Sequence, residues 1–252
     1  MDVSREALKT NFLRIREAAG EGAGVIPMVK ADAYGLGMAE TIRALEPLEP
    51  WGIGAATVEE GLAARDLGVI RPVVVLSPVP PESYRDAVEG DLSVAVGDLS
   101  GLDRLAEAAG AVGSTGRFHL DVDTGMGRAG FDWHRVGVWG PELKERLRGP
   151  LSWEGCFTHF HSADSAETRS TLSQWERLGE VVEALSPLPG GLLVHACNSP
   201  GVLRLPRLAA GAVRPGIFLY GGVAGEELPD PEPVAALRAR GSFIRAARPG
   251  ST

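Results

Sequence analysis

The chain has 252 residues with 33 acidic and 25 basic side chains, a formal net charge of −8. An apolar fraction of 44% and a charged fraction of 23% exclude a disordered or fibrous chain. The acidic balance argues against nucleic acid and anionic membranes as partners. Pro and Gly interrupt the longest uncharged stretch, 186–203, which is therefore no membrane span. Two cysteines and a charged N-terminus without an apolar leader favour the cytoplasm.

In chain order, the predicted elements begin with a helix, because Leu8, Phe12 and Ile15 recur at helical spacing. Short apolar runs then alternate with amphipathic stretches. The runs are mostly continuous, which is typical of strands buried on both faces of a parallel sheet. They lie at 25–29, 52–55, 73–76, 92–96, 118–122, 155–158, 192–195 and 211–214. The predicted helices between them include 58–67, opened by a Thr57/Glu60 capping box, and 102–109, 133–147 and 168–185.

Eight alternations of strand and helix predict an α/β fold of the (β/α)8 TIM-barrel type over residues 1–222. A doubly wound open sheet is the alternative, but it usually has fewer strands, and no GxGxxG follows the first strand. Residues 221–233 are rich in Gly, Pro and acids, and 233–247 predict one long alternating strand. We therefore expect 223–252 to be a linker and the first strand of a truncated C-terminal β domain.

In a barrel, catalytic residues lie at the carboxyl ends of the strands. Lys30 directly follows the first predicted strand, in a chain with only two other lysines. A desolvated lysine at such a place can form a Schiff base with an aldehyde cofactor, whereas the plainer alternative is a surface lysine. Tyr34, four residues later, offers a hydroxyl to a phosphate or simply packs in the core.

Two other strand ends predict a phosphate site. Asn198 and Ser199 follow the seventh strand and offer side-chain and backbone donors. Gly216 and Ile217 follow the eighth strand and offer backbone N–H groups after a turn fixed by Pro215. The loops after strands seven and eight are where barrels often hold a phosphate.

His159 and His161 form an H-x-H pair at the end of the sixth strand. Alternate residues of a strand point the same way, so this pair could bind a metal together with Asp121, Asp164 or His195. A metal-dependent hydrolase is therefore an alternative. For His161 a structural role beside a buried partner is the plainer interpretation, and His119 and His134 are expected to be structural or on the surface.

Five motifs between Lys30 and Gly221 resemble, in order, the N-terminal barrel of alanine racemase, a pyridoxal-phosphate enzyme. They are VKADAYGLG, DTGMGRAG, THFHSAD, NSPG and VRPGIFLYG. The resemblance implies that Lys30 is the Schiff-base lysine and a catalytic base. It implies that Arg214 donates to the pyridine nitrogen with His159 behind it, and that Arg128 lies near the phenolic oxygen and the substrate carboxylate. The implied phosphate binders are Tyr34, Asn198, Ser199, Gly216 and Ile217.

The implied activity is the interconversion of L- and D-alanine, which supplies D-alanine for peptidoglycan. The resemblance also implies a cytoplasmic enzyme that is a homodimer at full length and that uses pyridoxal 5'-phosphate and no metal.

The sequence departs from the family at Asp121, where some members carry a carbamylated lysine, although the Asp121 carboxylate could orient the arginine in the same way. Pro200 also departs from the family, in which a small residue more usually follows the serine that matches Ser199. The family's C-terminal domain carries a catalytic tyrosine, and none of Tyr34, Tyr84 and Tyr220 stands in that motif. We therefore expect slow racemisation by this chain alone. A barrel that binds pyridoxal phosphate without racemising is the first alternative.

Overall fold

The computed structural model describes residues 1–241, 243, 246 and 249–250. The strands are β1 (Asp2–Val3), β2 (Gly24–Val25), β3 (Ile53–Ala55), β4 (Val73–Val75), β5 (Ser93–Val96), β6 (Gly116–Asp123), β7 (Phe131–Asp132), β8 (Leu151–Phe157), β9 (Leu193–His195), β10 (Ala212–Val213) and β11 (Ala235–Ala236). The α-helical segments are α1 (Arg5–Ala19), α2 (Lys30–Gly35), α3 (Met38–Leu45), α4 (Val58–Asp66), α5 (Tyr84–Glu89), α6 (Leu99–Val112), α7 (Val136–Arg146), α8 (Arg169–Leu185) and α9 (Ser199–Arg204). Short 3-10 turns lie at Glu46–Leu48, Pro81–Ser83, Trp133–Arg135 and Pro206–Leu208.

Eight parallel strands form a closed barrel in the order β2-β10-β9-β8-β6-β5-β4-β3. The ring closes between its two ends, where Met28 and Gly54 form a parallel bridge. Each of the eight predicted apolar runs overlaps one barrel strand. Every residue of β4 and β5 is buried, because the barrel interior covers one face and the outer helices cover the other. The predicted TIM barrel is confirmed.

The outer helices bury the apolar stripes that the sequence pattern predicts. In α1, Leu8, Phe12 and Ile15 are buried against the barrel. Thr57 and Glu60 form the predicted capping box at the start of α4, and Asp98 caps α6. Among the described residues, no helix combines the length and apolar content that a membrane span requires.

The predicted long strand over 233–247 is largely absent from the described part of that segment. Only Ala235–Ala236 is a strand, and it pairs antiparallel with Asp2–Val3 at the other end of the chain. The ladder is short because Ser4 caps α1 directly after Val3, so β1 offers only two residues to pair with. Residues 237–241 have no regular secondary structure, and positions 242, 244, 245 and 247 lie outside the described residues.

Candidate active site

A cavity of about 480 Å³ opens at the carboxyl ends of the barrel strands. All of the site residues predicted from the sequence line this cavity, although they come from five separate stretches of the chain. They are Lys30, Tyr34, Arg128, His159, Asn198, Ser199, Arg214, Gly216 and Ile217. The convergence follows from the topology, since the carboxyl ends of parallel barrel strands meet on one face.

A larger cavity, about 690 Å³, lies at the opposite, amino ends of the strands. Its charged side chains pair with one another. Arg117 bonds both Asp91 (2.8 Å) and Glu154 (2.7 Å), and Arg65 lies 3.8 Å from Asp91. The smaller cavity, and not this one, therefore contains the predicted site residues.

Lys30 opens a backbone segment of unusual handedness. Ala31, Asp32, Ala33 and Tyr34 all have φ between 51° and 58°, so four consecutive non-glycine residues of α2 form a left-handed turn ahead of Gly35. This conformation costs an L-residue about 1–2 kcal/mol. Strain of this kind occurs at functional sites, where the surrounding structure enforces it. Lys30 itself is exposed, so the expectation that it is desolvated is wrong.

The phenol of Tyr34 lies against Gly216. A Cβ at position 216 would overlap the Tyr34 hydroxyl and come within 2.9 Å of its Cζ, so a larger residue here would displace the phenol. The Tyr34 ring stacks on Tyr220 with the ring centroids 4.7 Å apart, and the Tyr220 hydroxyl donates to the Met28 carbonyl at 2.6 Å. Burial raises the pKa of Tyr34, which therefore stays protonated and can donate.

Ser199 ties together the loops after β9 and β10. Its hydroxyl accepts from the N–H groups of Gly216 (2.9 Å) and Phe218 (3.4 Å). In this structure the Gly216 N–H is therefore not a free phosphate donor, because the neighbouring hydroxyl already accepts it. Asn198 caps α9 by accepting from Gly201 (3.0 Å) and donates to the Phe160 carbonyl (3.3 Å).

Arg214 is a buried cation at the cavity floor, with only 4% of its surface exposed. Its guanidinium donates to the carbonyls of Thr158 (2.9 Å) and Ala196 (3.2 Å) and to Nδ1 of His195 (2.6 Å). Desolvation lowers the pKa of Arg214 to about 10, so the group keeps its proton at neutral pH. The histidine behind Arg214 is therefore His195, whereas the family resemblance implies His159.

The bond to Arg214 sets the tautomers of two buried histidines. Guanidinium only donates, so Nδ1 of His195 must accept, and its Nε2 carries the proton. His195 Nε2 lies 2.8 Å from Nδ1 of His119 and donates to it. The proton of His119 is then on Nε2, a buried atom without a partner among the described residues. Burial lowers the pKa of His119 to about 3, so both rings stay neutral.

Gly155 on β8 makes room for the His119 ring, because a Cβ there would lie 2.6 Å from its Cε1. His119 is therefore structural and buried. His159 lines the cavity together with Arg214. Burial, together with the charges of Arg214 and Arg128, lowers the pKa of His159 to about 3, so this ring is also neutral.

Asp121 lies on β6 and also lines the cavity. Burial raises the pKa of its carboxyl to about 7, and the positive charges of Arg214 and Arg128 act in the opposite direction. Asp121 is therefore partly protonated near neutral pH. The resemblance places this carboxyl where some members of the family carry a carbamylated lysine.

Gln174 of α8 does not line the cavity but holds the strand end that carries His159 and His161, a role that the sequence did not predict. Its amide donates to the His159 carbonyl (2.9 Å) and to Thr124 Oγ1 (3.2 Å), and it accepts from the His161 N–H (3.1 Å). Nothing in the local sequence distinguishes this glutamine from any other polar residue on a 17-residue helix.

Among the described residues, no three His, Cys, Asp or Glu side chains are arranged to hold a metal ion. The geometry therefore does not support the metal-hydrolase alternative.

The fold and the cavity define a TIM barrel whose ligand site is built from a strand-end lysine, two loops joined by Ser199 and a buried arginine. Residues 3–224 match the model of the family "Alanine racemase, N-terminal domain", and the chain belongs to this family. It is 31% identical to alanine racemase of Syntrophobacter fumaroxidans over 232 residues, which are 92% of this chain and 61% of that protein. It is 32% identical to alanine racemase of Citrifermentans bemidjiense over an alignment of 262 positions that covers 100% of this chain and 68% of that protein.

Solved structures of the family have the same fold. Alanine racemase from Streptomyces coelicolor A3(2) superposes with a TM-score of 0.84 at 32% identity, covering 92% of this chain and 64% of that one. The alanine racemase of Clostridium difficile 630 in complex with cycloserine gives a TM-score of 0.87 at 26% identity, covering 92% and 65%. The chain thus spans about three fifths of the length of relatives such as the Syntrophobacter protein.

Proposed function

We propose that this chain is the pyridoxal-phosphate-binding barrel of an isomerase that interconverts L- and D-alanine. One observation carries the proposal. A strand-end lysine, the tyrosine against Gly216 and a buried arginine line a single cavity, in a chain of the alanine racemase family. As the family resemblance implies, we extend the proposal to a cytoplasmic homodimer that supplies D-alanine for peptidoglycan. Residues 1–222 would be the barrel, and 223–252 a linker and first strand of a C-terminal β domain.

The donors in the cavity fit pyridoxal 5'-phosphate. Lys30 presents an amine that would hold the aldehyde covalently. The Tyr34 hydroxyl, with Ser199 and Asn198 beside it, would hold the phosphate next to Gly216, where a Cβ would leave no room. Arg214 is a buried cation with a donor available for the pyridine nitrogen. When bound, the cofactor supplies an electron sink for the charge that develops on the α-carbon of the amino acid.

Arg214 then limits how far that charge spreads. With a pKa of about 10 it donates a hydrogen bond at neutral pH without handing over its proton. Its bonds to Thr158, Ala196 and His195 prevent it from turning away. Arg214 would donate to a ring nitrogen without protonating it, which would favour return of the proton to the α-carbon over transamination. Lys30 would move that proton on one face of the α-carbon, and Arg128 would bind the substrate carboxylate.

The opposite face requires a second base. Among the three tyrosines of these 252 residues, Tyr34 packs against Gly216, and the Tyr220 hydroxyl donates to the Met28 carbonyl. Tyr84 is buried on α5. We infer that the 252-residue polypeptide has one positioned base, Lys30, which handles the proton of D-alanine by the family's assignment. A positioned base contributes about 10²–10⁴-fold. This polypeptide should therefore invert alanine slowly.

The test compares the 252-residue protein with its Lys30→Ala and Lys144→Ala variants. Lys144 is an exposed lysine bonded to the Ser186 carbonyl and serves as the matched control. After incubation with pyridoxal phosphate and reduction with borohydride, peptide mass mapping should find the cofactor on Lys30 in the parent and in the Lys144 variant. A label on another lysine, or an unchanged label in Lys30→Ala, would refute the assignment.

Proton NMR in deuterium oxide, with a chiral assay, then tests the reaction. D-alanine should lose its α-proton signal faster than L-alanine, and little of either should invert. Labelling of Lys30 without α-proton exchange would favour the alternative of a cofactor-binding barrel without racemase activity. Rapid inversion by this polypeptide would show that another of its residues is the second base.

A further inference from the structure

The barrel closes immediately below Lys30. The two sides are joined by the Met28–Gly54 bridge and three backbone hydrogen bonds. The Trp51 N–H donates to the Val25 carbonyl (2.9 Å), the Gly54 N–H to the Pro27 carbonyl (2.9 Å), and the Val29 N–H to the Gly54 carbonyl (2.8 Å). Strand pairing ends there, because the chain turns into the left-handed segment at the next residue. Besides the packing of Tyr34 against Tyr220 and Gly216, the position of Lys30 thus depends on what holds that segment against the loop after β3.

The side chain of Glu60 makes this connection. One carboxylate oxygen accepts from the Ala31 N–H at 2.7 Å. The other accepts from the N–H groups of Ala56 (2.7 Å) and Thr57 (3.4 Å) in the loop after β3. The Ala31 N–H belongs to the first turn of a helical segment, where no carbonyl of the same segment can accept it. Glu60 therefore joins the two sides of the barrel closure through its side chain, at the residue that follows Lys30 and beyond the last backbone pairing.

A carboxylate is well suited to this bridge. Its two oxygens are both acceptors, so each can take an N–H group from one of the two loops. A glutamine has one acceptor oxygen, and its NH₂ group would face the other N–H. The capping-box bond from the Glu60 N–H to Thr57 Oγ1 (3.3 Å) fixes the start of α4, but it does not touch the Lys30 segment. Substitutions can therefore separate the role of Glu60 in capping α4 from its role in holding the Lys30 segment.

We propose that Glu60 is a positioning residue for Lys30. Its bond to the Ala31 N–H holds the costly left-handed turn in register with the loop after β3, and so fixes where the amine enters the cavity. The consequence for cofactor capture rests on the proposed function. A displacement of about 1 Å of a reacting group can lower a rate about 10²-fold, so a partly released lysine should react about tenfold more slowly.

The first experiment needs no cofactor. Amide hydrogen exchange of peptides covering residues 30–37 is compared in the parent, Glu60→Gln, Glu60→Ala and Thr57→Ala proteins. Exchange in this segment should be about tenfold faster in both Glu60 variants and unchanged in Thr57→Ala, which weakens the cap of α4 but keeps the bridge. Equal exchange in all four proteins, or equal acceleration in Thr57→Ala, would overturn the proposal.

The second experiment measures capture at Lys30. Condensation of the amine with the cofactor aldehyde releases water, and borohydride reduces the C=N bond to a stable amine that mass mapping quantifies. The Glu60 variants should be labelled about tenfold more slowly. They should bind pyridoxine 5'-phosphate, which lacks the aldehyde, within about twofold of the parent. Labelling at the parent rate would refute the positioning role. If the parent is not labelled at Lys30, the proposed function fails, and hydrogen exchange still decides whether Glu60 holds the segment.

Discussion

Replacing Asp121 by asparagine should stabilise the protein increasingly as the pH rises. Burial at the cavity wall raises the pKa of this carboxyl to about 7, against an ordinary value of 3.8. Between these values the folded protein keeps a proton that the unfolded chain has lost. Stability therefore falls as the pH rises through this window. The values lie about three pH units apart, and each unit is worth about 1.4 kcal/mol, so the ionised carboxyl costs on the order of 4 kcal/mol above pH 7.

Asparagine keeps the shape of Asp121 and removes its titration. The free energy of unfolding of Asp121→Asn should match that of the parent near pH 4 and exceed it by up to about 4 kcal/mol at pH 8. Urea denaturation followed by circular dichroism, in half-unit pH steps, measures both curves. Asp230→Asn, at an exposed position, is the control and should differ from the parent by less than about 0.5 kcal/mol throughout. A difference for Asp121→Asn that does not change with pH would refute the reasoning.

Three further predictions follow from the geometry of the site. Gly216→Ala should weaken pyridoxine 5'-phosphate binding by about fivefold to about 150-fold in an equilibrium titration, because overpacking typically costs about 1–3 kcal/mol; unchanged affinity would contradict the contact with the phenol. Ala31→Gly should be neutral or stabilising by about 0.5 kcal/mol in urea denaturation, whereas Ala111→Gly in right-handed α6 should cost about 0.5–1 kcal/mol. Imidazole ¹⁵N spectra should show His119 and His195 neutral and protonated at Nε2 from pH 5 to 9; an Nδ1–H form of either would reverse the hydrogen-bond direction assigned from Arg214.

The sequence alone predicts most of the barrel, because a strand that is buried on both faces is a continuous run of apolar residues in its own sequence. The eight runs overlap the eight strands, and the Thr57/Glu60 capping box opens α4. The sequence also predicts which residues share the cavity. Once the strands are parallel and closed into a ring, every residue at a carboxyl end lies on the same face. Lys30, Arg128 and Arg214 meet there for that reason.

Only the tertiary structure decides which neighbours these residues touch. Whether His195 or His159 contacts Arg214 depends on the stagger of adjacent strands, which no spacing within one strand reveals. The left-handed turn after Lys30 places four non-glycine residues at positive φ before Gly35, and the sequence does not predict this because Ala, Asp and Tyr ordinarily avoid positive φ. Its bridge to Glu60 joins residues 29 positions apart. Residues 237–241 continue the alternating pattern predicted for a strand, but β1 offers only Asp2 and Val3 for pairing, and both pair with Ala235–Ala236. A strand forms only where another backbone is present to take its hydrogen bonds.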